Sequence, residues 1–151
     1  MKIKDILNSD CLLVEKSSLT KKQLLEKLSH LASEKTGIDG MVILNALVER
    51  ERLGTTGIGR GVALPHTRLE GLKDIFCAFM KTKPTEFESV DKKPVDLLFL
   101  LLVPENAGAD HLKALASLSR LLRNEKATDK LRQADLPKDL YRIILDNDKD
   151  E

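Results

Sequence analysis

Pro94-Val95-Asp96-Leu97-Leu98-Phe99-Leu100-Leu101-Leu102-Val103-Pro104 is the most hydrophobic stretch of the chain, with a proline at each end. Apolar residues fill successive positions rather than alternate ones, so both faces of an extended segment must be buried. This is the pattern of a central strand covered by helices on two sides. Working outward, residues 75–81 (Ile75, Phe76, Cys77, Ala78, Phe79, Met80) read as a second strand, with Pro84 ending the extended segment. The polar connection 85–94 carries Phe87 and Val90 as pins to the body. Beyond the central run, residues 105–108 form a loop. A helix follows with Leu112, Leu115, Ala116, Ser119 and Leu122 along one face. Asn124 interrupts it, a shorter helix spans 125–132, and Asp135-Leu136-Pro137 opens the last one, burying Leu140, Ile143 and Ile144.

The N-terminal half supplies more cover. Thr20-x-x-Gln23 spells a capping box; Leu24, Leu25, Leu28, Leu31 and Ala32 follow at helical spacing, and Gly37 closes the helix. His30 lies beside that stripe among polar residues and receives no chemistry. Asp39 caps a second helix over 41–53, with Ile43, Ala46 and Leu47 inward and Gly54 as its stop. Residues 1–7 read as a short helix, because Ile3, Ile6 and Leu7 share a face, and Cys11-Leu12-Leu13-Val14 as a short strand. The charged tail 146–151 is expected to fray. Without repeat or linker, residues 1–151 read as a single α/β domain: a three-layer α/β/α sandwich with a small mixed sheet flanked by helices.

Composition narrows the function classes. The 151 residues are 42% hydrophobic and 32% charged, with a formal net charge of +1, enough for a proper core. There is no basic stripe with interleaved aromatics, which argues against nucleic acid. No apolar run reaches the roughly 20 residues of a membrane span, and the first residues lack a signal-peptide pattern. Cys11 and Cys77 form no CxxC and read as buried thiols in a reducing, cytoplasmic setting.

Four of the eight glycines fall in Gly54-Thr55-Thr56-Gly57-Ile58-Gly59-Arg60-Gly61-Val62-Ala63-Leu64-Pro65-His66-Thr67-Arg68. Alternate glycines allow positive φ and close approach of a ligand, and their N–H groups can form an anion-accepting nest. The apolar Val62-Ala63-Leu64 then feeds a strand, and Pro65 delivers His66 at a strand end. Neither a Walker loop nor a GxGxxG dinucleotide loop is spelled here. Taken alone, the stretch is a glycine-rich turn with a structural histidine, and Arg50 is a helix-end cation complementing the macrodipole.

His111 opens the helix after the central strand, so the two histidines can share a crevice. Zinc would need a third ligand such as Asp110 or Glu70, which no spacing supports. A triad could draw on Thr55, Thr56 or Thr67, but no nucleophile elbow is spelled. Nucleophilic catalysis by an imidazole accounts for more residues. A neutral ring whose second N–H is held can accept a phosphoryl group. Thr55, Thr56, Gly57, Gly59 and an arginine (Arg50, with Arg60 or Arg68 as alternates) could receive the phosphoryl oxygens.

Arg50-Glu51-Arg52-Leu53-Gly54-Thr55-Thr56-Gly57-Ile58-Gly59 and Gly61-Val62-Ala63-Leu64-Pro65-His66 resemble the active-site signature of fructose/mannitol-type enzyme IIA domains of the bacterial phosphotransferase system. The Pro94–Phe99 run, Leu102-Val103-Pro104 and His111-Leu112 are similar to that family too. The pattern resembles most the stand-alone nitrogen-type regulatory member. The resemblance implies a mixed sheet between helices and a phosphoryl group carried on His66. It implies that His111, Arg50 and Thr55 complete the site, and that no metal and no cofactor are needed. It further implies a phosphohistidine donor resembling HPr, and regulatory targets or a separate enzyme IIB as recipients. Nitrogen or metabolic regulation and sugar import are both open on this reading, and so, from another class, is a non-catalytic anion-binding module.

Overall fold

The computed structural model describes residues 1–148. A 3-10 turn at Ile3–Asp5 leads into β1 (Leu7–Val14). Two helices, α1 (Lys21–Thr36) and α2 (Gly40–Leu53), come next. Three short strands follow, β2 (Gly57–Gly59), β3 (Val62–Ala63) and β4 (His66–Leu69). Two long ones, β5 (Phe76–Thr85) and β6 (Val95–Pro104), complete the sheet. The chain then closes with α3 (Ala109–Arg123), α4 (Glu125–Gln133) and α5 (Pro137–Asp146).

The hydrophobic run is the middle of the sheet, as its two-sided pattern requires. β6 pairs antiparallel with β5 along one edge and parallel with both β3 and β4 along the other. β1 extends the sheet parallel to β5, and β2 folds back antiparallel on β3. Leu97, Leu98, Phe99, Leu100, Leu101, Leu102 and Val103 are all fully buried. α1 and α2 pack together, against β5 and β4 respectively; α3, α4 and α5 form a second group that meets β6 and β1. The result is an α/β/α sandwich on a mixed six-stranded sheet. Phe79 lies opposite Phe99 in the β5–β6 register, ring centroids 4.9 Å apart and edge to face, a geometry worth about 0.5–1.5 kcal/mol beyond area burial.

The helix signals act as spelled. Thr20 Oγ1 accepts the Gln23 amide at 3.2 Å while Gln23 Oε1 accepts the Thr20 amide at 2.9 Å. Gly37 closes α1 at φ 79°, and Asp39 Oδ1 accepts the Met41 amide at 2.8 Å. His30 is exposed and faces Glu34 at 3.8 Å. Cys11 and Cys77 are buried thiols; desolvation, aided by Asp10, pushes Cys11 up to about 11.

Several local expectations change. The helix expected over 1–7 is only the 3-10 turn, because Leu7 already pairs with Cys77. β1 therefore starts four residues before the expected Cys11. Its register jumps between Leu7 and Leu12, and the exposed Asn8, Ser9 and Asp10 between them disguise the strand's beginning. β5 runs through Pro84 to Thr85, since a register shift between Lys81 and Thr85 absorbs the proline. Phe87 is buried as a pin, but Val90 is 71% exposed. In α3 the buried stripe is Ala114, Ser117, Leu118, Leu121 and Leu122, while Leu112 is exposed. The tail is held further than expected: Asp146 closes α5, Asn147 Nδ2 donates to Ile143 O at 2.8 Å, and Asp148 Oδ2 accepts the Lys4 amide at 3.3 Å. The rest of that tail, residues 149–151, lies outside the described residues.

Close packing at Gly57 gives a test of the fold. A β-carbon there would fall 2.3 Å from Ser89 Oγ and 3.0 Å from Ser89 Cα. Gly57→Ala is expected to lose about 1–3 kcal/mol through overpacking, read by urea denaturation. Adding Ser89→Gly recovers part of the loss and not all, because the Cα remains.

Candidate functional site

The glycine stretch folds as a hairpin. β2 and β3 pair antiparallel, and Arg60 and Gly61 turn between them at φ 58° and 80°, the positive values that two-residue hairpin turns demand. Arg132 fastens this turn: Nη2 donates to Arg60 O at 2.9 Å, and Nε and Nη2 grip Asp96 at 2.9 and 3.0 Å. The Arg60 guanidinium goes to Glu125 at 3.3 Å and its amide to Asp91 at 2.8 Å. Arg60, one of the three candidate arginines, is thus committed to α4 and the 86–94 loop.

After the hairpin, Leu64 and Pro65 separate β3 from β4. The Leu64 amide donates to Thr56 O at 2.9 Å, and Pro65 O accepts the Leu101 amide at 3.0 Å. His66 therefore opens β4, opposite Leu101, rather than ending a strand. Leu69 still belongs to β4, so the turn expected from Arg68 begins after it.

The half-buried His66 places Nδ1 2.7 Å from Leu64 O. A carbonyl only accepts, so Nδ1 carries the hydrogen, and in the neutral ring Nε2 keeps its lone pair. Burial lowers the affinity of His66 for a second proton below its ordinary value, and the Arg50 charge acts the same way. The Leu64 bond and Glu51 oppose them. His111 comes from the first turn of α3, its ring centroid 6.2 Å from that of His66 and the planes at 64°. Its Nδ1 is buried without a hydrogen-bond partner. His111 too is lowered, first by burial, then by Arg68 and His66.

The arginines divide. Arg50 Nη1 donates to Gly54 O at 2.9 Å, closing α2 as a helix-end cation does, while its charge acts on His66. Arg68 Nη1 donates to Glu105 O at 2.7 Å and its charge acts on His111. Arg50 and Arg68 act on the two histidines, whereas the Arg60 guanidinium faces Glu125.

Three positions of the expected phosphate cradle already have partners within the chain. Thr55 Oγ1 donates to Phe87 O at 3.1 Å and accepts the Gly57 amide at 3.1 Å, which occupies both the hydroxyl and that N–H. Thr56 gives its amide to Glu51 Oε1 at 3.1 Å and its hydroxyl to Glu51 Oε2. These bonds brace the loop through Thr55, Thr56 and Gly57. Gly59, at φ 100°, packs against Asp91. Sequence reading passed over Glu51 and its partner Lys21, 2.9 Å apart. The available signal was a lysine at the first position of a helix, where the macrodipole disfavours a cation.

Residues 5–147 match the family model described as phosphoenolpyruvate-dependent sugar phosphotransferase system, EIIA 2. The chain belongs to that family. It is 44% identical over 145 residues to the nitrogen regulatory protein of Bradyrhizobium diazoefficiens, covering 95% of each chain. It is 34% identical over 135 residues to the PTS system fructose-specific EIIA component of Haloferax volcanii, covering 88% of each. The crystal structure of nitrogen regulatory protein IIA-Ntr from Neisseria meningitidis matches at a TM-score of 0.83 and 33% identity, over 90% of this chain and 97% of that one. Among the described residues no helix is long and apolar enough to cross a membrane. No group of three or more His, Cys, Asp or Glu among them could hold a metal ion.

The electrostatics of this EIIA site give a titration test. Both histidines are expected to titrate below 6.5 in 1H–15N spectra. Arg50→Ala should raise the His66 midpoint, and His66→Ala that of His111. With both folded values depressed, stability from the neutral rings is full above about 6.5 and is lost as pH falls through the folded midpoints.

Proposed function

We propose that this chain is a cytoplasmic phosphocarrier. His66 accepts a phosphoryl group from a phosphohistidine on a small donor protein resembling HPr or its nitrogen-branch paralogue, in nitrogen or metabolic regulation. The observation that carries this reading is the bond from His66 Nδ1–H to Leu64 O. It leaves Nε2 as the nucleophilic atom of a ring that burial keeps neutral. In the transfer, the Nε2 lone pair forms a bond to phosphorus as the donor's N–P bond breaks. The electron pair of that bond returns to the donor imidazole, which leaves neutral. The protein's contribution is position and charge. Arg50 favours the incoming dianion over a protonated ring, and His111 orients or neutralises the group from the far side. No metal or cofactor enters this step.

The 44% identity to a nitrogen regulatory protein favours the regulatory outcome. A phosphoryl group adds about 1.5–2 negative charges to a rim carrying Arg50 and Arg68, so a target protein docking there meets a different surface in each state. A second reading has its own support in the fructose-specific relative: sugar import, with the group passed to a separate enzyme IIB. Label that moves rapidly to a sugar-specific IIB, with identical pull-down partners for the two states, selects import.

Incubation with the phosphorylated donor is expected to give an acid-labile, base-stable adduct. His66→Ala should abolish it in a folded protein; His111→Ala should slow it. Arg50→Ala should slow it too, with poor rescue by Arg50→Lys, since a point charge does not reproduce the guanidinium fork. Absence of any adduct on the unsubstituted chain would leave a non-catalytic anion-binding module.

A further inference from the structure

An ion pair followed by a series of hydrogen bonds links the start of α1 to the imidazole of His66. Lys21 sits at the first position of α1 with no acidic residue in that turn. It lies 2.9 Å from Glu51 Oε1 and 4.6 Å over the Phe87 ring. The Glu51 side chain is only 8% exposed, and that of Lys21 17%. Such a buried pair is weak evidence for stability, so its placement calls for another explanation. Both Glu51 oxygens are directed at one residue: Oε1 accepts the Thr56 amide at 3.1 Å and Oε2 its hydroxyl. The Thr56 carbonyl accepts the Leu64 amide at 2.9 Å, and the Leu64 carbonyl accepts Nδ1–H of His66 at 2.7 Å. From Thr56 onward each bond tethers the next stretch of backbone leading to His66.

We infer that Glu51, held by Lys21, is a positioning residue for His66: through Thr56 and Leu64 it aims the carbonyl that keeps the hydrogen on Nδ1 and leaves Nε2 as acceptor. Glu51 touches no reacting atom. Loss of its grip frees the turn at residues 54–56, lets the Leu64 peptide rotate, and allows the ring to populate the opposite tautomer. The kinetic consequence rests on His66 being the phosphoryl acceptor; the tautomer does not.

The test uses the full chain with 15N-labelled histidine, and long-range 1H–15N correlations at a pH where the ring is neutral. The unsubstituted protein is expected to show His66 as the Nδ1–H tautomer alone. Glu51→Gln, which keeps the side-chain shape, should give a mixture with Nε2–H while melting stays cooperative. Thr56→Val removes one hydroxyl but keeps the amide link, and should give a smaller change of the same kind. It carries the test if Glu51→Gln does not fold. Lys21→Met should act in the same direction. The labelling rate from the phosphorylated donor is expected to fall about tenfold to a hundredfold in Glu51→Gln, the scale of a misplaced reacting group. A pure Nδ1–H tautomer in each folded variant overturns the inference and reduces the pair to a helix brace. Failure of the unsubstituted chain to label at all strikes the acceptor reading instead, and the tautomer result still decides this one.

Discussion

A strand that meets water on neither face sets the terms for everything else in this fold. β6 has a fully buried run from Leu97 to Val103, and burial of each such side chain is worth about 1.5–3 kcal/mol. That requirement calls for a helical layer above and below and a hydrogen-bonding neighbour on each edge. One edge is satisfied by β5 over nearly the whole length. The other is shared by two short strands, and His66 lies where the second of them starts.

The same constraint explains which features were legible from sequence. Helix starts with an explicit side-chain cap, at Thr20 and Asp39, were readable because the motif is local and its geometry is nearly self-contained. β6 was readable because two-sided burial leaves an unbroken apolar run. The start of β1 was not, because Asn8, Ser9 and Asp10 bulge from the ladder and interrupt any period. The buried face of α3 was misread because apolar residues occupy more than one stripe. The contact of His111 with the His66 ring goes with a rotation that leaves Leu112 in solvent.

At the candidate site, the resemblance singled out His66, His111 and Arg50; the two ring centroids lie 6.2 Å apart and the Arg50 charge acts on His66. Which donors the glycine loop has to spare was not legible. Thr55 and Thr56 look alike as candidate phosphate ligands, yet each already bonds the scaffold. Their partners, the Phe87 carbonyl and the Glu51 carboxylate, come from a loop over thirty residues away and from the end of the preceding helix. Hydroxyl inventories read from a sequence count groups; they do not reveal which groups are already engaged.

The gap at Leu64 and Pro65 between β3 and β4 has an implication for how such a chain can improve. Proline has no N–H for the ladder, so the parallel edge is left open at that point, and the Leu64 carbonyl is turned to a side chain. An ordinary residue at position 65 would supply the missing donor and favour one unbroken edge strand. Selection for rigidity alone would therefore close the seam and draw the carbonyl back into the sheet, a more regular protein with a less defined histidine. Regularity of the sheet and definition of the His66 ring pull against each other at this position.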